Sequence, residues 1–139
     1  MKIGHIENGI VLDHITAGNG MNIYNVLNLG KLDCTVALIK NADSPKMGKK
    51  DISKISTLLD LDLDVLGYLD PEITVNVIRN SRVEERRKVG LPERVVGVIK
   101  CKNPRCITSV EQEIVHEFKL TDRSKKVYRC IYCEQAAKK

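Results

Sequence analysis

The sequence has no tryptophan, one phenylalanine and four tyrosines, so aromatics make up only 4% of its 139 residues. That scarcity argues against a platform for single-stranded nucleic acid, which usually grips bases by stacking. No apolar run approaches the roughly 18 residues that a membrane span needs. Met1–Ile10 has no basic region leading into an apolar stretch, so no secretory leader is expected and the cytoplasm is the expected compartment. Histidines number three, and neither G-x-S-x-G nor a phosphate loop is present: Met47-Gly48-Lys49-Lys50 lacks both the upstream glycine and the hydroxyl residue. Gly18-Asn19-Gly20 reads as a turn rather than a dinucleotide fingerprint. Without a persuasive acid–base pair, the chain is not expected to be an enzyme.

What is present is an ordinary globular balance, 42% hydrophobic and 29% charged. The net charge of +5 is unevenly spread. Residues 1–93 hold 12 Lys/Arg and 13 Asp/Glu, a net of −1, whereas residues 94–139 hold 11 and 5, a net of +6. Two stretches of different electrostatics suggest two domains with two tasks, 1–90 and 91–139.

Four of the five cysteines fall in the last 39 residues: Cys101 and Cys106 as C-x4-C, Cys130 and Cys133 as C-x2-C, with 23 residues between the pairs. Two thiolate knuckles with a hairpin-sized spacer suit one tetrahedral, structural Zn2+. Disulfides and a redox or iron–sulfur role are the competing readings. Four thiolates leave no open position for a catalytic water. A segment this short buries too little apolar surface to fold unaided, which gives the metal a physical reason to be there. Cys34, in the apolar run CTVALI, reads as a buried core thiol, and His116 as a core or metal-proximal histidine.

Apolar periodicity predicts a strand over Ile10–Ile15 and a helix over Met21–Leu29 capped by Asn19 and ended by Gly30. A strand over Cys34–Ile39, a loop over Asn41–Lys50 and a strand over Ile52–Leu59 follow. Asp60–Leu69 alternates like a strand, yet its acidic start and the stop at Asp70-Pro71 suit a helix, which is the expectation there. A strand over Ile73–Ile78, a turn at Arg79-Asn80-Ser81 and a short strand over Arg82–Arg87 complete the stretch. The order βαββαβ implies an α+β domain of ferredoxin-like order, with two helices on one face of an antiparallel sheet. Beyond the Leu91-Pro92-Glu93 linker comes a small all-β four-cysteine domain. Lys54, Asn76, Arg86, Asp13 and His14 lie on or beside strands of the first sheet, where cations could meet phosphates and Asp13 a ribose hydroxyl.

The motifs together resemble the regulatory chain of aspartate carbamoyltransferase. They are Gly9-Ile10-Val11-Leu12-Asp13-His14-Ile15, Met47-Gly48-Lys49-Lys50-Asp51, Pro71 to Ile78, Leu91-Pro92-Glu93-Arg94 and the spaced cysteines ending in Glu134. The resemblance implies a non-catalytic subunit whose first domain binds nucleoside triphosphates, CTP inhibiting and ATP activating. It implies regulatory dimers, and a zinc domain that docks onto the catalytic chain in pyrimidine biosynthesis. By position, it assigns Ile6, Val11, Asp13, His14, Lys54, Asn76, Ile78, Val83 and Arg86 to the nucleotide. It assigns Asn103, Arg105 and Glu134 to the catalytic-chain interface. Gly4, His5, Ser81 and Arg105 depart from the family's residues. A nucleic-acid-binding zinc ribbon, favoured by the +6 charge of the last stretch, is the alternative; salt-sensitive binding to DNA or RNA would distinguish it.

Overall fold

The computed structural model describes residues 6–137, so Gly4 and His5 lie outside the described residues. The chain divides into two compact units, one reaching Gly90 and the other starting at Leu91.

In the first unit, β1 (Gly9–Thr16) leads through α1 (Gly20–Val26) and a short 3-10 turn (Leu29–Lys31) to β2 (Val36–Ser44) and β3 (Gly48–Ile55). Then come α2 (Leu63–Leu69), β4 (Thr74–Arg79) and β5 (Arg82–Lys88). All strand pairs are antiparallel, in the order β2-β3-β1-β4-β5. This is the expected ferredoxin-like α+β order, with β5 added at one edge. Ile10, Leu12 and Ile15 of β1, Ile73 and Val75, Ile23 of α1 and Leu66 of α2 form one buried cluster. Both helices therefore cover the same face of the sheet, and among the described residues of this unit the other face carries no helix.

The two-residue turn joining β4 to β5 has Asn80 and Ser81 both at positive φ, the twist that suits a tight hairpin. At Gly9 a Cβ would stand 2.1 Å from the Ile55 carbonyl oxygen, so only glycine allows β1 to pair with β3 there.

The structure departs from the sequence reading in four places. The polar segment Asn41–Lys50 is a hairpin, not a loop: β2 runs on to Ser44 and β3 starts at Gly48. A bulge between Ile39 and Ala42, with Asn41 at φ 56°, carries β2 through this stretch. The third strand accordingly ends at Ile55 rather than Leu59. Cys34 precedes β2 in a bend and is only half-buried, because the strand starts at Val36. Asn19 stands at the start of α1, but its side chain makes no capping bond. The buried Asp51 carboxylate accepts from the Gly20 amide instead, at 2.9 Å. α2, by contrast, is capped conventionally, with Asp62 accepting from the amides of Asp64 and Val65.

The second unit contains β6 (Arg94–Val96), a single helical turn α3 (Ile107–Val110), β7 (Glu117–Asp122) and β8 (Val127–Cys130) in a three-stranded antiparallel sheet. Val95, Phe118 and Cys130 face one another across it and are each at most 1% exposed. The Tyr128 hydroxyl donates to the Pro92 carbonyl at 2.6 Å, tying the start of the unit to its last strand.

Candidate functional site

Directly opposed residues of antiparallel strands point to the same face. Lys54 opposes Val11, Val11 opposes Asn76, and Asn76 opposes Arg86. Four of the nine nucleotide-site candidates thus form one row across β3, β1, β4 and β5. Val11 alternates with the core residues Ile10 and Leu12, so this row lies on the face without helices. Arg86 Nε donates to the Asn76 amide oxygen at 3.0 Å, which fixes the guanidinium beside the row. Ile78 opposes Gly9 and, beyond a bulge, Val83. Ile6 is buried, and its Cγ2 lies 2.9 Å from where a Gly9 Cβ would be.

One row away, Asp13 opposes Thr74. A bulge in β1 between Leu12 and Ile15 puts His14 at φ 58°. The His14 amide donates to the Asp13 carboxylate at 2.6 Å, and its ring Nδ1 lies 3.1 Å from the Thr74 hydroxyl. Lys50 Nζ is 2.9 Å from Asp13 Oδ1, both side chains less than a quarter exposed. Burial opposes the charge of Asp13. The Lys50 ammonium, the His14 amide and the nearby charges outweigh it and hold the carboxyl below its ordinary value of 3.8. Asp13 is therefore an ionised acceptor.

A groove of about 620 Å³ beside the β4–β5 turn is lined by Arg79, Asn80, Arg82, Val83 and Glu84 and includes only Val83 of the candidates. The chemistry of its side chains singles out the row.

In the second unit the four thiols converge, their Sγ atoms all within 4.8 Å of one another. Cys101 Sγ is 3.5 Å from Cys133 Sγ, and Cys106 Sγ is 3.7 Å from Cys130 Sγ. These separations are far beyond a disulfide bond of about 2.05 Å. They match the edge of about 3.8 Å that four sulfurs at roughly 2.3 Å from a central zinc would define. The donor set fits a four-coordinate metal. Burial pushes the Cys101 thiol up to about 12, while the Thr108 hydroxyl and amide hold Cys106 near 7 despite its burial. A bound cation would stabilise all four thiolates together.

The knuckles are shaped locally. The Asn103 carbonyl accepts from the Cys106 amide, and its side chain from the Arg105 amide at 3.1 Å. His116 Nδ1 accepts from the Cys101 amide at 2.9 Å, so the ring holds the first knuckle without joining the thiol cluster. Glu134 takes φ 64° just after the second knuckle, and its amide donates back to the Cys130 carbonyl. Of the three interface candidates, Arg105 and Glu134 are exposed, whereas Asn103 is half-buried and spends its side chain on the knuckle.

Residues 1–90 match the family described as aspartate carbamoyltransferase regulatory chain, allosteric domain, and residues 93–139 match that of the same chain's metal binding domain. The chain belongs to the aspartate carbamoyltransferase regulatory chain family. It is 51% identical to the regulatory chain of Clostridium acetobutylicum over 138 residues, covering 99% of this chain and 94% of the relative. It is 48% identical to that of Clostridium tetani, covering 99% and 96%, and 43% identical to that of Bifidobacterium longum, covering 99% of both. Among the described residues, no helix of this regulatory chain is long and apolar enough to cross a membrane.

Three residues that hold the first unit of this regulatory chain together escaped sequence reasoning. Lys50 was legible only as part of a basic loop, yet it is the cation that fixes Asp13. Asp51 is fully buried and accepts from the amides of Gly18, Gly20 and Asn41. Asp70, also buried, accepts from the Thr16 amide at 2.7 Å and from Asn19 at 3.4 Å. In sequence, both aspartates look like surface charge, and no pattern separates them from it.

Proposed function

We propose that this chain is the non-catalytic regulatory subunit of aspartate carbamoyltransferase, acting in the cytoplasm. Its first domain, residues 1–90, holds CTP or ATP on the helix-free face of the sheet. Its second, residues 91–139, holds one structural Zn2+ and docks on the catalytic chain. The observation that carries this reading is the row of Lys54, Val11, Asn76 and Arg86, with an ionised Asp13 beside it. Arg86 and Lys54 supply charge for the phosphates, Arg86 with a forked head suited to bidentate contact. Asp13 accepts from ribose hydroxyls, His14 borders it, and Ile6, Val11, Ile78 and Val83 offer apolar contact to the base.

Zinc is favoured over other ions by four soft thiolates at tetrahedral spacing. Asn103, Arg105 and Glu134 stand at the two knuckles, where a partner would meet the metal unit. Regulatory chains pair as homodimers in this reading, and β2 at the sheet's open edge provides backbone groups for such pairing. CTP and ATP share one pocket but prefer different quaternary states, because an effector shifts an equilibrium only by its differential affinity. Coupling of about 1–3 kcal/mol would move aspartate affinity modestly rather than switch it on and off.

The test mixes the zinc-loaded chain with the catalytic trimer from the same source and follows mass and aspartate saturation with each nucleotide. A larger complex whose saturation curve moves with CTP and ATP is expected. Arg86→Gln should weaken triphosphate binding about tenfold with assembly intact. A complex indifferent to both nucleotides would refute the effector assignment.

A further inference from the structure

The sheet of the metal unit has a second face, opposite the one that buries Val95, Phe118 and Cys130. Pairing places Arg94 opposite Lys119 and Lys119 opposite Arg129, so three cations stand in one row across β6, β7 and β8. Strand spacing sets them roughly 5 Å apart. All three are exposed. Like charges directly opposed on a sheet destabilise it, so the pairing is unfavourable for the isolated fold. Internal compensation is partial: Arg94 is 2.6 Å from Glu117, and Arg129 donates to the Glu134 carbonyl at 3.0 Å. Among the described residues Lys119 has neither an ion pair nor a side-chain hydrogen bond.

The neighbouring row is apolar at both ends, with Val96 55% and Ile131 39% exposed on either side of Glu117. A groove of about 780 Å³ runs along this face past all three cations, with Ile131 and Glu134 in its wall. We infer that the row Arg94–Lys119–Arg129 is a docking face for a carboxylate-rich surface of the catalytic chain. This rests on the proposed assembly and adds to the knuckle residues a second, cationic contact. A protein partner fits better than nucleic acid: the row is only three cations wide, exposed aliphatics flank it, and of the three aromatics in this unit Phe118 and Tyr128 are buried, leaving Tyr132 alone exposed, too few to stack a strand of bases.

The test compares assembly of the wild-type chain with the catalytic trimer against that of Lys119→Glu, Lys119→Gln and the control Lys125→Glu, each with metal content confirmed. Lys125 is exposed in the β7–β8 turn, outside the row. At low ionic strength Lys119→Glu should weaken assembly about tenfold, Lys119→Gln less and Lys125→Glu not at all, and the differences should shrink as salt rises. Assembly of Lys119→Glu equal to wild type at every ionic strength overturns the inference while leaving the regulatory-subunit reading intact. Loss of binding to a labelled oligonucleotide in Lys119→Glu, with assembly unchanged, would assign the row to nucleic acid and likewise overturn it. Failure of the wild-type chain itself to assemble would overturn the regulatory-subunit reading on which the inference stands.

Discussion

Replacing Asp51 by alanine should be the most damaging single polar substitution in the first unit. The side chain is fully buried, and its two oxygens take three backbone amides: Gly18 at 3.1 Å, Gly20 at 2.9 Å and Asn41 at 3.0 Å. Those amides belong to the turn after β1, the first residue of α1 and the bulge of β2, so one carboxylate clamps three segments. Of the three bonds, the one to Gly20 is fully buried. An amide left there without an acceptor costs about 1–3 kcal/mol. The other two are partly buried and can recruit water, so each adds about 0.5–1 kcal/mol. The total, about 2–5 kcal/mol, is a large share of the stability of a unit this size and should lower its Tm by roughly 10–40 °C. Asp51→Asn keeps an acceptor for two amides and turns an NH2 toward the third, so it should cost less than alanine. Thermal unfolding followed by far-ultraviolet circular dichroism, with hydrogen exchange assigning the loss to α1 and β2, checks both. If Asp51→Ala unfolds within about 0.5 kcal/mol of wild type, water replaces the carboxylate freely and the clamp argument fails.

Two further outcomes follow from the same reasoning. Chelating the metal should unfold the second unit alone, since about 10 kcal/mol of its folding free energy would come from metal binding. The amides of Phe118 and Cys130 should lose exchange protection while those of Leu12 and Ile15 keep theirs; protection that survives chelation would show a unit stable without its ion. Asp13, held below its ordinary pKa, contributes stability that is fully present above 3.8 and disappears as pH falls through its lower folded value. Asp13→Asn should therefore flatten the acid limb of the stability profile below about pH 4, and an unchanged limb in an acid titration would contradict the Lys50 contact.

The elements that bury apolar side chains were legible, because burial imposes a period. Ile10, Leu12, Val75 and the helix around Ile23 announced themselves, and so did the thiol knuckles, because metal ligands must recur at short spacing; the helix around Leu66 alternated like a strand and was legible only from its acidic start and the stop at Asp70-Pro71. The β2–β3 hairpin beyond Ile39 was not legible. It lies at the edge of the sheet, where Lys40, Asn41 and Lys49 face solvent and no apolar alternation is required. The bulges at His14 and Asn41 were equally silent, since a left-handed residue other than glycine leaves no compositional trace. Cys34 was misplaced for the opposite reason: its apolar company belongs to a strand that starts two residues later. The resemblance assigned the row of Lys54, Val11, Asn76 and Arg86 by position. That these residues share one face follows only from the register of the strand pairings.

The buried row Val95–Phe118–Cys130 has a consequence for how the protein is made. Its last member is itself one of the thiols, so the apolar core and the metal cluster of this unit close in a single event. That event needs Cys133, which lies 43 residues beyond Gly90, where the first unit is already complete. During synthesis the five-stranded sheet can fold while its neighbour is still an open chain carrying unpaired thiols. The supply of metal at that moment, rather than the stability of the first unit, then sets how many newly made chains become able to meet a partner.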